Sequence, residues 1–92
     1  MSQDAVSNLA AKEWTVRIFM SEHDGNTRAE ARLDTGSGSG LTGIGLARLT
    51  AQDADVPEIG DEVAAARALA DLAERLLHTA EADVEAVHPS PR

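Results

Sequence analysis

Cysteine is absent from the 92 residues, which excludes a disulfide framework and thiolate chemistry. Aromatic side chains are nearly absent too, with Trp14 and Phe19 alone representing them. No uninterrupted apolar run approaches the roughly 18 residues of a membrane-spanning helix. The opening residues, MSQDAVSNLA, lack the basic segment and apolar stretch of a secretory signal. A cytoplasmic location with no membrane partner is the resulting expectation. A basic footprint for nucleic acid is also missing, since the net charge is −8 and acidity opposes nonspecific binding to polyanions.

The charge is unevenly spread. Residues 12–48 carry five basic and five acidic side chains, whereas residues 49–92 carry three basic and ten acidic ones. The first half is thus neutral but rich in arginine, and the second is strongly acidic. At 42% hydrophobic and 26% charged the chain is a globular one. A chain this short buries only about 60–65% of its unfolded surface, so association would help it.

Periodicity gives the order of elements. Trp14, Val16, Ile18 and Met20 alternate with Thr15, Arg17, Phe19 and Ser21, which predicts a half-buried strand. Asp24-Gly25-Asn26 supplies a tight turn, and Thr27 to Asp34 alternates again, with Ala29, Ala31 and Leu33 on one face. Two registers keep both apolar faces together. A turn at Asp24-Gly25 sets Arg17 opposite Arg32; a turn at Gly25-Asn26 sets Arg17 opposite Asp34 and Phe19 opposite Arg32. Cross-strand charge pairs are worth about 0.2–1 kcal/mol, which selects the second register.

The stretch TGSGSG, residues 35–40, is a connector. LTGIGLARL then predicts a third strand with Gly43, Gly45 and Ala47 on one face and Ile44, Leu46 and Arg48 on the other. The small strip either admits a closely packed helix or marks a bulge. A long helix is predicted from near Gly60 or Asp61, with Val63, Ala66, Leu69, Ala70, Ala73, Leu76, Leu77 and Ala80 as its apolar stripe. Thr79 could cap a short further helix carrying Val84 and Val87. The predicted class is α+β: a three-stranded antiparallel sheet packed by a long C-terminal helix over residues 12–87, between tails at 1–11 and 88–92.

Candidate chemistry is sparse. In SEHD, residues 21–24, Ser21 and His23 share a strand face about 7 Å apart, too far for a nucleophile–base bond. Asp24 belongs to the turn, so the cluster reads as a hairpin tip. His23, His78 and His88 fall on separate segments, and Glu74 with His78 makes at most an ordinary helix pair rather than a metal site. The glycines of residues 36–45 lead into a strand without a lysine, unlike a phosphate loop. No catalytic, cofactor-binding or metal residue is expected, and no enzyme. The candidate surface is instead a sheet face bearing Arg17, Phe19, Arg28, Arg32, Ile44, Leu46 and Arg48. It would seal a homodimer, with one helix covering only one side of the sheet, stack bases as RNA-binding sheets do, or stand as a plain solvated face.

The runs EHDGNTRAEARL, GIGLARL and PEIGDEVAAARALADLAERLL resemble a family of small uncharacterised actinobacterial proteins, from about Trp14 to Val87. The resemblance implies a fold related to the double-stranded-RNA-binding domain, often homodimeric, with no assigned reaction and no catalytic residues. That fold is similar to ribosome hibernation factors, so a stress or dormancy role is the analogy it offers. Where RNA-binding relatives carry basic residues at the start of the last helix, this chain has Glu58, Asp61 and Glu62. The expected partners are therefore a second copy and an unidentified protein, with ribosome or RNA contact as the alternative.

Overall fold

The computed structural model describes residues 11–38, 40–48 and 57–87. The expected tails at 1–11 and 88–92 lie almost wholly outside this range, as does the segment joining the third strand to the helix. Three strands, β1 (Thr15–His23), β2 (Asn26–Asp34) and β3 (Thr42–Arg48), are followed by one helix, α1 (Pro57–Val87). The sheet is antiparallel in the order β1-β2-β3, the α+β arrangement that the periodicity predicts.

The hairpin adopts the register the charge pairing disfavours. His23 pairs with Asn26, Arg17 with Arg32 and Phe19 with Glu30. Turn geometry decides it: Asp24 and Gly25 have φ of 53° and 77°, so both central residues occupy the left-handed region that a two-residue hairpin turn requires. Asp and Gly are the residues that accept this at least cost. The charge penalty is small because Arg32 turns away from Arg17. It lies over the Phe19 ring, 4.1 Å from its centroid, and bonds Glu30 at 3.1 Å.

The helix begins at Pro57, ahead of the expected Gly60 or Asp61. Proline suits a first helical position, where its missing N–H has no partner to lose. No break follows at Thr79: one helix of 31 residues continues to Val87, through alanines that favour it. At 1.5 Å per residue it is about 46 Å long, beyond the reach of strands of seven to nine residues. From Leu77 to Val87 every residue is exposed.

The face α1 lays on the sheet is not the predicted stripe. Gly60, Ala64, Ala68 and Leu72 are buried, with Val63 and Leu76 half-buried, while Ala66, Leu69, Ala70, Ala73, Leu77 and Ala80 are exposed. β3 selects the row. A Cβ on Gly43 would come within 2.3 Å of the Ala68 carbonyl oxygen, and one on Gly45 within 2.1 Å of the Ala64 carbonyl oxygen. Gly60, Ala64 and Ala68, small residues repeating every four positions, permit so close an approach. The glycines of β3 thus admit the helix backbone rather than mark a bulge.

The resulting core is thin. It consists of Ala29, Ala31, Leu33, Ala47, Ala64, Ala68 and Leu72. The Thr27 side chain is buried with them, and its hydroxyl has no hydrogen-bond partner among the described residues. The helix covers β2 and β3 and barely reaches β1, so all nine residues of β1 are exposed.

Candidate interaction surface

Pleating sends alternate residues to opposite faces, and the pairing aligns them into rows across the sheet. On the face away from α1, Arg17 lies beside Arg32, Phe19 beside Glu30 and Ile44, and Ser21 beside Arg28 and Leu46. The last row holds His23, Asn26 and Arg48. All seven residues singled out from the sequence therefore share this face. Glu30 sits at its centre, 3.5 Å from Arg28 and 3.1 Å from Arg32. The hydrogen bond from Arg32 holds the Glu30 carboxyl below its ordinary range, aided by both positive charges. One carboxylate is thus shared at close range between two of the arginines, leaving the trio with a net positive charge. Arg48 bonds the Asn26 side chain at 3.3 Å.

The face toward α1 carries a second apolar surface that sequence reasoning assigned to the core. Val16, Ile18 and Met20 sit on it, aligned with Leu33, Ala31 and Ala29. Because the helix stops short of β1, they remain 42%, 37% and 41% exposed. Trp14, just before the strand, is 52% exposed. Alternation announced these residues as apolar and one-sided, but carried no signal of how far the helix would reach.

The polar groups of SEHD form no catalytic arrangement. His23 and Asp24 are 3.1 Å apart on the exposed turn, and Ser21 pairs with Arg28 across the hairpin. No group of three or more potential metal ligands occurs among the described residues. No helix among them is long and apolar enough to cross a membrane. Two helix side chains instead serve the backbone of β3. Asp71 accepts the Ile44 N–H at 2.8 Å, and Arg67 donates to the Leu46 carbonyl at 2.8 Å. The Ile44 hydrogen bond, with support from Arg75 at 3.0 Å, holds the Asp71 carboxyl below its ordinary range.

Fold and surface together define a small β-β-β-α protein whose organised features, among the described residues, are faces and edges. The chain belongs to the Rv2632c-like family, whose model matches residues 12–92. It is 49% identical to the uncharacterized protein Mb1767 of Mycobacterium bovis over 85 residues, covering 92% of this chain and 89% of that one. It is 44% identical to the uncharacterized protein Rv2632c of Mycobacterium tuberculosis, covering 92% and 90%. The crystal structure of Rv2632c superposes with a TM-score of 0.79 at 43% identity, over 90% of this chain and 98% of the other.

Proposed function

We propose that this protein is a non-enzymatic, homodimeric interaction module of the cytoplasm, acting through protein partners. One observation carries the reading: the core is built of five alanines and two leucines, while Trp14, Val16, Ile18, Phe19, Met20 and Leu46 lie 37–60% exposed on the sheet. Buried apolar area stabilises at about 25 cal/mol per Å², so small side chains inside and large ones outside leave a fold short of burial by itself. A large apolar surface on a small domain marks an association site. Sedimentation equilibrium across a wide concentration range tests it. A reversible dimer weakened by Ile18→Asp is the expected result, and a monomer at all concentrations overturns the reading.

A second reading, contact with ribosomal or other RNA, draws on the Arg32–Phe19 stack and on Arg17 beside it. Glu30 works against it by occupying Arg28 and Arg32. RNA binding that falls steeply with salt and disappears in Arg17→Glu with Arg32→Glu would favour this reading over the first.

A further inference from the structure

The two edges of the sheet are chemically unequal. On β3 the even-numbered residues turn their backbone groups away from β2, and the helix meets two of these groups at the centre of the strand, Asp71 at the Ile44 N–H and Arg67 at the Leu46 carbonyl. On β1 no such cover exists among the described residues. The two-residue turn makes His23 and Asn26 a hydrogen-bonded pair. The odd-numbered residues of β1 therefore bond β2, and the N–H and C=O groups of Val16, Ile18, Met20 and Glu22 point outward. Natural edge strands are blunted with charged side chains, lysine above all, with proline or with a bulge. β1 carries Arg17 and Glu22 but neither lysine nor proline, and its ladder with β2 is unbroken from Thr15 to His23.

We infer that β1 pairs antiparallel with β1 of a second copy, about a two-fold axis through Ile18, joining the two sheets into one of six strands. The inference rests on the homodimer proposed above and specifies its interface. A two-fold axis perpendicular to the sheet preserves its faces, so each residue meets one of its own parity. Among such registers, centring on Arg17 sets that arginine against its own copy. Centring on Phe19 or Met20 sets the partner's Glu22 against Val16 or Ile18. Centring on Ile18 moves Glu22 to the margin, beyond the strand's end beside Trp14, and keeps the centre apolar, with Val16 opposite the partner's Met20 and Ile18 opposite the partner's Ile18.

On the opposite face that register brings Arg17 to the partner's Phe19, on the side of the ring's strand that β2 leaves open. Phe19 already holds Arg32 over its ring, so each ring gains a second guanidinium neighbour. At the margins Glu13 falls opposite the partner's His23, an additional complementary pair, and Trp14 opposite the partner's Glu22. The apolar strips of the two β1 strands become one continuous band between the helices.

Because the chain lacks cysteine, engineered disulfides report the register without background. In the double variant Thr15→Cys with Ser21→Cys, the two positions are six residues apart, roughly 20 Å along one strand, but opposite each other across the dimer. Mild oxidation is expected to convert most of this protein to a covalent dimer, and Thr15→Cys with His23→Cys is expected to stay unlinked. Linking of the second pair instead places Phe19 on the axis and overturns the Ile18 register. A dimer by sedimentation in which neither pair links overturns the Ile18 register while the homodimer stands. A monomer throughout removes both. Ile18→Pro is the backbone test: it deletes one outward N–H, which an edge strand tolerates, so a folded monomer by circular dichroism is expected. A folded Ile18→Pro protein that dimerises as strongly as the parent overturns the proposal.

Discussion

Gly45→Ala tests the close seating of α1 on β3. A Cβ there would lie 2.1 Å from the Ala64 carbonyl oxygen, 2.3 Å from the Ala68 nitrogen and 2.9 Å from the Arg67 carbonyl carbon. Ordinary contacts of a methyl group begin near 3.4 Å, so the helix must retreat by about 1 Å along this stretch. All three obstacles are backbone atoms, which cannot rotate aside as a side-chain tip can. Overpacking of this kind costs about 1–3 kcal/mol. A methyl group on an unfolded glycine works the other way, stabilising by about 0.4–1 kcal/mol through lost chain freedom. The clash wins, with a net loss of about 1–2 kcal/mol. Urea unfolding reads it as a lower midpoint at unchanged slope. Gly43→Ala meets Ala68 and Leu72 at 2.3 and 2.4 Å and should behave alike. The double variant should cost less than the sum, since a helix already lifted accommodates the second methyl group more cheaply. A Gly45→Ala protein as stable as the parent would refute the packing described here.

Further outcomes follow from other positions. Thr27→Val replaces a buried hydroxyl that lacks a partner among the described residues with a methyl group, and should stabilise by about 1 kcal/mol, read as a rise in Tm of about 4–8 °C. Asp71→Asn should be less stable than the parent at neutral pH. The Asp71 carboxyl titrates below its ordinary value of 3.8 in the folded state, so its contribution is complete above that value and is lost as pH falls through the lower folded one. Acid unfolding should therefore show the gap between parent and variant closing below pH 3.8; a gap constant with pH would remove the charge from the account. Gly25→Ala places a side chain at φ 77° and should cost about 1 kcal/mol, measured by the same urea titration.

The strands were legible because alternation names both their existence and their faces: Val16, Ile18 and Met20 against Arg17 and Phe19, and Gly43 and Gly45 against Ile44 and Leu46. Hairpin register was not, because a shift of two residues preserves every face and the deciding factor is the backbone of Asp24 and Gly25. The helix face was misread for a related reason. α1 is apolar on more than one side, and its larger side chains, Leu69 and Leu77, outweigh Ala64 and Ala68 in any periodicity. Contact with β3 favours the smallest row, so the partner surface decides what the helix sequence leaves open. The seven residues of the far face could be grouped from parity alone. The open edge of β1 could not, since it depends on where a helix distant in sequence comes to rest.

Glycine in β3 also bears on the stoichiometry of the proposed dimer. A sheet with two open edges can add copies at both ends, and each addition presents another open edge, which is the recipe for a fibre. A sheet with one open edge can add a copy once, after which nothing remains to extend. Asp71 reaches the Ile44 N–H because Gly43 and Gly45 let the helix backbone lie against the strand. A methyl group at either position therefore does more than loosen packing. It lifts the terminator off the second edge, so the proposed dimer would become an assembly that can keep counting.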